Sequence, residues 1–364
     1  MRESHIEIDS RRLAHNLEVI KQNLLPDIKI LANLKANAYG LGAYEIGKFL
    51  EQQGIDYFSV AYINEAVDLR QKGLKTNLLV FNPSFDHFDS LIQYQLEPEV
   101  SSMAYLKALN MFLQKEKITG FPVHLKLDTG MHRAGIMLNE LDELIRLLKT
   151  NNSIKIKSVF SHLAAAEDPD EDTFTSSQIK RFEQMTERLT SDLNKVFFKH
   201  LLNTAGIFRF SPAQYDMVRP GLGLFGFNMI AGQEHNLQPI VRLKTKINQI
   251  KHLKAGDTVG YNRLFKVDKN SRIGLLPLGY ADGIDRRLGY KNLWVKCRGY
   301  KVPVVGTISM DTMSIDLTGT PCQQGDEVIV FDYDSQIYDV ARKLQTIPYE
   351  IIAGLTRRLP RIII

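Results

Sequence analysis

The chain has 364 residues, a formal net charge of +5 and 44% hydrophobic residues. Such a length accommodates two domains with a large core, and such a composition belongs to an ordinary globular protein. The mild charge argues against a nucleic-acid partner, no apolar run reaches membrane-span length, and Cys297 and Cys322 lack metal-ligand spacing, so no metal site is expected. The start, Met1 to Ile6, shows no apolar signal segment, and two cysteines in separate segments suit a reducing compartment. A cytoplasmic chain is therefore expected.

Ile6 and Ile8 suggest a short strand. Asp9 or Ser10 can cap a helix, in which Leu13, Leu17, Ile20 and Leu24 recur at helical spacing until Pro26. The pattern then alternates. Apolar segments of strand length lie near 28–34, 57–61, 78–81, 97–100, 122–127, 156–161, 197–202 and 216–218, with amphipathic stretches between most of them. The clearest of these, 174–193, places Ile179, Phe182, Leu189 and Leu193 on one face. Strands alternating with helices imply a parallel sheet, and eight units in about 230 residues suit a closed eight-stranded (β/α) barrel of the TIM type. An open doubly wound sheet is the competitor, but no Gly-x-Gly-x-x-Gly follows an early strand. After Gly232 the texture changes. Val241–Ile250, Ile273–Leu278, Leu293–Val295 and Val302–Val305 alternate and are broken by turns such as Ala255-Gly256-Asp257 and Gln324-Gly325-Asp326. The basic stretch from Arg242 to Lys254 reads as a solvated sheet face. A mainly antiparallel β domain with one late helix around 335–345 is expected. Domains of 1–232 and 233–364 follow, with residues 1–9 available as a strand of the second.

In such a barrel chemistry belongs at the C-terminal strand ends, and the unusual polar residues fall there. Lys35 ends the first strand. Burial lowers a lysine pKa below about 10.4, and a neutral amine is a nucleophile that can form a Schiff base with an aldehyde. Taken alone, a lysine snorkelling out of a strand end is the simpler reading; the rest of the chain reverses it. Lys126 and Asp128-Thr129-Gly130-Met131-His132-Arg133 follow the fifth strand, and His162 the sixth. His200 and Asn203-Thr204 follow the seventh, and Arg219-Pro220-Gly221 the eighth. A phosphate needs N–H groups and hydroxyls, and barrels place it in the loops after strands seven and eight. Thr204 and Gly221-Leu222-Gly223 sit there, although a tight turn alone would explain the glycines. Arg133 suits a substrate carboxylate, which arginine grips with a fork of donors.

The segment Leu34-Lys35-Ala36-Asn37-Ala38-Tyr39-Gly40-Leu41-Gly42 resembles the pyridoxal-phosphate attachment motif of alanine racemases, a fold type III family. Val218-Arg219-Pro220-Gly221, Gly279-Tyr280-Ala281-Asp282-Gly283, Gly306-Thr307-Ile308-Ser309-Met310-Asp311 and Ile347-Pro348-Tyr349-Glu350 are similar to further motifs, so the resemblance spans essentially the whole chain. It implies pyridoxal 5'-phosphate anchored on Lys35. By the same resemblance Tyr39, Thr204, Gly221, Leu222 and Tyr349 hold the phosphate, with Thr204 where the family usually has Ser. His162 and Asn203 complete the cofactor set, although plain packing against the cofactor ring would also account for His162.

Arg219 would face the ring nitrogen. An arginine only donates, which leaves that nitrogen unprotonated and the ring a weak electron sink. His200 is expected in the same network. Lys126 resembles a lysine that is often carbamylated and orients Arg133. Unmodified, it would place two cations together, so something anionic must lie between them. Tyr261 aligns with the catalytic tyrosine, whose ordinary pKa of about 10 must be lowered or matched by cations, for which His200 and Arg219 are candidates. The Met310 backbone N–H would contact the substrate carboxylate, and Tyr280 and Tyr349 would narrow the entrance. Ile284-Asp285 stands where the family often has an aromatic residue.

The resemblance thus implies a racemase that interconverts L- and D-alanine by two-base proton transfer between Lys35 and Tyr261, supplying D-alanine for peptidoglycan. It further implies a homodimer with active sites shared between chains, and neither a nucleic-acid nor a membrane partner. A racemase of another small amino acid such as serine, a decarboxylase of the same fold, and a non-catalytic pyridoxal-phosphate-binding barrel are the alternatives.

Overall fold

The computed structural model describes residues 4–230, 235–334 and 336–364. The division expected at 232/233 falls among residues 231–234, outside the described residues. The chain forms two compact units: Ala14–Ala36 with Ile46–Leu237, and residues up to Leu13 with Asn37–Glu45 and Gln238–Ile364.

Strand β1 (His5–Ile8) belongs to the second unit. In the first, β2 (Lys29–Asn33), β3 (Tyr57–Val60), β4 (Asn77–Val80), β5 (Glu97–Val100), β6 (Phe121–Lys126), β7 (Ile154–Phe160), β8 (Phe198–His200) and β9 (Met217–Val218) form a closed barrel. All neighbours are parallel, and β2 pairs β9 through Lys29–Met217 and Ile30–Val218 to close the ring. Parallel barrel strands are covered on both faces, which is why β3 and β5 are buried throughout. The helices between them follow their local signals. Ser102 caps Met103–Lys115 by accepting the Tyr105 N–H at 3.1 Å. Asp172–Leu193 ends where Asn194 turns left-handed, φ 49°.

The second unit carries β10 (Val241–Lys246), β11 (Gln249–Leu253), the small hairpin β12 (Thr258–Val259) and β13 (Phe265–Lys266), and β14 (Ser271–Leu276). These are followed by β15 (Trp294–Cys297), β16 (Tyr300–Val305), β17 (Met313–Asp316), β18 (Glu327–Phe331) and β19 (Arg361–Ile363). Its nine-stranded sheet runs β11-β14-β17-β16-β15-β18-β10-β1-β19. It is antiparallel except where β1 lies parallel to β19. The run Val241–Ile250, expected as one strand, is two. β10 pairs β18, the chain turns at Ile247–Asn248, and β11 pairs β14. Two of the three basic residues of β10 are paired on the sheet: Arg242 with Asp332, and Lys244 with Glu7 and Glu327. Cys297 and Cys322 are both buried, with the Cys322 thiol donating to the Cys297 carbonyl at 3.5 Å. The late helix Gln336–Leu344 is followed by a second, Pro348–Ala353, which periodicity missed because it is only six residues long. Pro348 at its first turn was the available signal. Among the described residues no helix is long and apolar enough to cross a membrane.

Candidate active site

Lys35 stands two residues beyond β2, half-buried. Its backbone N–H donates to Asn33 Oδ1 at 3.2 Å. The next turn is left-handed: Ala36, Asn37, Ala38 and Tyr39 have φ of 51°, 56°, 51° and 53°, and Gly40 follows at 86°. Such a turn costs L-residues about 1–2 kcal/mol each, so its surroundings must hold it. Glu65 does so on the barrel side, accepting the N–H of Ala36 at 2.7 Å and those of Ala61 and Tyr62. On the other side Arg361 donates to the Gly40 carbonyl through Nε at 3.0 Å and Nη2 at 2.6 Å. A Cβ at Gly40 would meet the Ile352 carbonyl at 2.2 Å, so this position accepts only glycine. Burial pushes the Lys35 pKa below that of free lysine; Arg133 and Lys126 push it further, while Glu65 and Glu99 oppose. The side chain is thereby poised to be a nucleophilic amine.

Arg219 is buried beside β9 and clamped. Nη2 donates to the carbonyls of Ser161 at 2.6 Å and Leu201 at 2.9 Å and lies 3.3 Å from His162 Nδ1. Nη1 donates to His200 Nδ1 at 2.8 Å. Since arginine only donates, His200 Nδ1 accepts and its Nε2 carries the proton. That proton goes to Ser158 Oγ at 2.8 Å, the Ser158 hydroxyl donates to His124 Nδ1 at 2.6 Å, and His124 Nε2 donates to Glu97 at 2.7 Å. The direction of every bond in this buried chain is thus set by the guanidinium at one end and the carboxylate at the other. Burial would raise the Glu97 pKa, but the His124 hydrogen bond leads the contacts that hold it below the carboxylate range. Burial pushes the Arg219 pKa down to about 9, which still leaves the guanidinium charged at pH 7. Burial and then Arg219 hold His162 and His200 well below the ordinary histidine pKa, so both are neutral. His200 therefore has no charge to lend Tyr261, contrary to expectation. Arg219 retains Nε–H and one Nη1–H without a partner among the described residues, donors suited to a ring nitrogen.

Thr204 follows β8. Its Oγ1 accepts the N–H of Gly221 at 3.1 Å and Gly223 at 3.3 Å, which leaves the hydroxyl proton for an outside acceptor such as a phosphate oxygen. A Cβ at Gly223 would meet Thr204 Cγ2 at 2.5 Å, so glycine is what lets the turn close over the hydroxyl. Leu222 is buried in the same turn. Asn203 Oδ1 caps the following short helix by accepting the Gly206 N–H at 2.9 Å. Together the buried arginine, the neutral imidazole, the low-pKa lysine and the hydroxyl turn fit a phosphorylated pyridine aldehyde.

Lys126 ends β6 and Arg133 sits on the excursion that follows. The loop closes where Ile136 N–H donates to the Lys126 carbonyl at 2.8 Å and Asp128 N–H donates to Ile136 at 3.0 Å. Asp128 Oδ1 accepts the N–H of Gly130 and His132, and Gly135 has φ 138°, with no room for a Cβ beside Asp128 N. Arg133 is exposed, close enough for its charge to reach Lys35, Lys126 and His162.

The remaining expected residues lie in the β unit. Tyr261 opens a tight turn after β12, flanked by Gly260 at φ 81° and Asn262 at φ 58°, and is 66% exposed. A Cβ at Gly260 would lie 3.2 Å from Thr307 N, so this turn abuts the loop that leads to Met310. Tyr280 N–H donates to Ser309 and Ala281 N–H to Met310, which ties Tyr280 beside exposed Met310. Tyr39 and Tyr349 pack with ring centroids 5.5 Å apart.

A family model for the alanine racemase N-terminal domain matches residues 8–229, and one for the alanine racemase C-terminal domain matches residues 240–363. The chain belongs to the alanine racemase family. It is 33% identical to alanine racemase 1 of Caldanaerobacter subterraneus over 100% of this chain and 95% of that protein. Among solved structures, alanine racemase of Clostridium difficile superposes with a TM-score of 0.93 at 30% identity, covering 100% of this chain and 96% of that one. The alanine racemase of Bartonella henselae with covalently bound pyridoxal phosphate gives 0.88 at 30% identity, covering both chains fully at 100%. Sequence reasoning missed Glu97, Glu99, His124 and Ser158. The available signal was two glutamates in a strand too short to expose either.

Proposed function

We propose that the chain interconverts L-alanine and D-alanine by two proton transfers on opposite faces of the α-carbon. Family membership makes it a pyridoxal-phosphate-dependent isomerase. The observation that carries the reading is the low-pKa Lys35 amine in one mouth with the clamped Arg219, whose spare N–H groups have no partner among the described residues. When bound, the cofactor supplies an electron sink that makes the α-proton removable.

The chain's own residues do the rest. Lys35 Nζ is the covalent anchor and, once released, moves a proton on one face; the Tyr261 hydroxyl moves it on the other. Arg219 offers the ring nitrogen a donor and no proton, which keeps the sink weak. Racemisation tolerates this because the α-proton leaves only briefly. Thr204 Oγ, with Gly221, Leu222, Tyr39 and Tyr349, receives the phosphate, and Asn203 and His162 line the cofactor. Arg133 and the Met310 N–H take the substrate carboxylate, while Tyr280 and Tyr349 restrict side-chain size. We assign the cofactor half to residues 1–232, apart from residues 1–9, which supply a strand to the β half, and the β half to 233–364. The enzyme is a cytoplasmic homodimer with shared sites, and its D-alanine serves peptidoglycan.

The test is incubation with L- and D-alanine in deuterated water. Both enantiomers are expected to gain deuterium at Cα while optical rotation falls to zero. Exchange with neither would remove the reading, and faster exchange with serine would reassign the substrate.

A further inference from the structure

We propose that Glu65 is a positioning residue for Lys35, tying the peptide that follows the lysine to the end of the neighbouring strand. Lys35 stands between two peptides, and a side chain holds each. Its own N–H donates to Asn33 Oδ1 at 3.2 Å, and the N–H of Ala36 donates to Glu65 Oε1 at 2.7 Å. Glu65 is the third residue of helix Ile63–Gln71, which follows β3. A glutamate at that position ordinarily reaches back to the start of its own helix, where N–H groups lack helical partners. Oε2 does so, accepting the N–H of Ala61 at 2.7 Å and of Tyr62 at 3.3 Å. Oε1 instead crosses to Ala36, 29 residues away in the chain. One carboxylate therefore joins the exits of β2 and β3, strands already paired up to Asn33 and Ser59.

The need for this tie lies at Ala36, whose φ of 51° is a conformation that an L-residue keeps only where its surroundings hold it. With both flanking peptides held, the Cα of Lys35 and the direction of its Cβ are fixed, and only the side-chain torsions remain free. A long, flexible amine is thereby delivered to one place, which is what an attacking group needs. Glu65 is also one of the charged groups that act on the amine. Arg133 and Lys126 favour its neutral form, Glu65 and Glu99 its protonated form, and buried His162, itself neutral, feels the Lys35 charge. The two effects of Glu65 thus oppose each other: its hydrogen bonds place the nucleophile, while its charge keeps more of it protonated.

That opposition supplies the test, which rests on Lys35 being the cofactor anchor. Anchoring joins the neutral amine to the aldehyde carbon as a carbon–nitrogen double bond, with loss of water. The full-length chain, stripped of cofactor, is mixed with pyridoxal phosphate across a range of pH, and uptake is followed by absorbance. Glu65→Gln keeps the shape but removes the charge and one acceptor. Its uptake rate on the high-pH plateau should fall about tenfold or more, while the midpoint moves to lower pH. Glu65→Asp keeps the charge but is one methylene short, so it should hold the wild-type midpoint and lose part of the plateau rate. An unchanged plateau in Glu65→Gln overturns the proposal. So does a midpoint that stays or rises towards 10.5, since a pocket merely opened to water would release the lysine from burial. Should Glu65→Gln fail to fold, Glu65→Asp decides, and a wild-type plateau there overturns the proposal. Borohydride reduction and peptide mapping separate the two ideas. A wild-type label away from Lys35 removes both, whereas a label on Lys35 with an unchanged plateau in Glu65→Gln removes the role of Glu65 alone.

Discussion

Lys35 Nζ is held at low proton affinity first by burial and then by Arg133 and Lys126, against the pull of Glu65 and Glu99. The sign of the consequence follows directly. A cation placed near an amine disfavours its protonated form, so removing that cation raises the pKa and shrinks the neutral fraction at a given pH. Cofactor uptake by the apo-protein should rise with pH and level off above the Lys35 pKa, at a midpoint below the 10.5 of free lysine. In Arg133→Ala the midpoint should move to higher pH. Uptake can be followed by absorbance, with the anchoring lysine identified by borohydride reduction and peptide mapping. A label elsewhere would reject Lys35 as the anchor, and an unmoved midpoint would show that the Arg133 charge does not reach it.

Hydrophobic periodicity places strands but not the handedness of a turn. The eight barrel strands lie where the short apolar segments sit, and Lys35, Lys126, His162, His200, Thr204 and Arg219 lie at or just beyond their ends. The left-handed run from Ala36 to Gly40 was hidden, because alanine, asparagine and tyrosine read as ordinary helix formers or turn residues. Glu97 and Glu99 were hidden for a related reason: a charged residue in a short segment says nothing of its partner, and His124 and Lys126 come 27 residues later. The turn makes its own prediction. In a right-handed helix, alanine to glycine costs about 0.5–1 kcal/mol. At exposed Ala36, with φ 51°, glycine relieves a left-handed strain of about 1–2 kcal/mol that offsets this loss. Ala36→Gly should therefore leave the thermal midpoint unchanged or raised. A drop of several degrees would mean that the left-handed conformation carries no strain.

The two catalytic groups of the proposed reaction belong to different compact units, and this bears on the whole assembly. The β unit exposes Tyr261 by 66%, Met310 by 54% and Tyr280 by 42%, large groups that a partner surface would cover. A barrel mouth open to water is a poor place to hold an α-carbon stripped of its proton. In the proposed dimer, Tyr261 of one chain serves the site anchored by Lys35 of the other, and the two-fold axis makes two such sites. Lys35→Ala and Tyr261→Phe should each be nearly inactive alone. Mixed under conditions that allow subunit exchange, they form dimers in which one site has both residues and the other has neither. Random reassortment makes about half the dimers mixed, so activity should return to about a quarter of wild type. If both groups came from one chain, no mixed dimer would hold an intact site. A tag on one variant reports exchange by co-purification. Confirmed exchange without recovery would therefore reject the shared site while leaving the deuterium experiment to judge the racemase reading by itself.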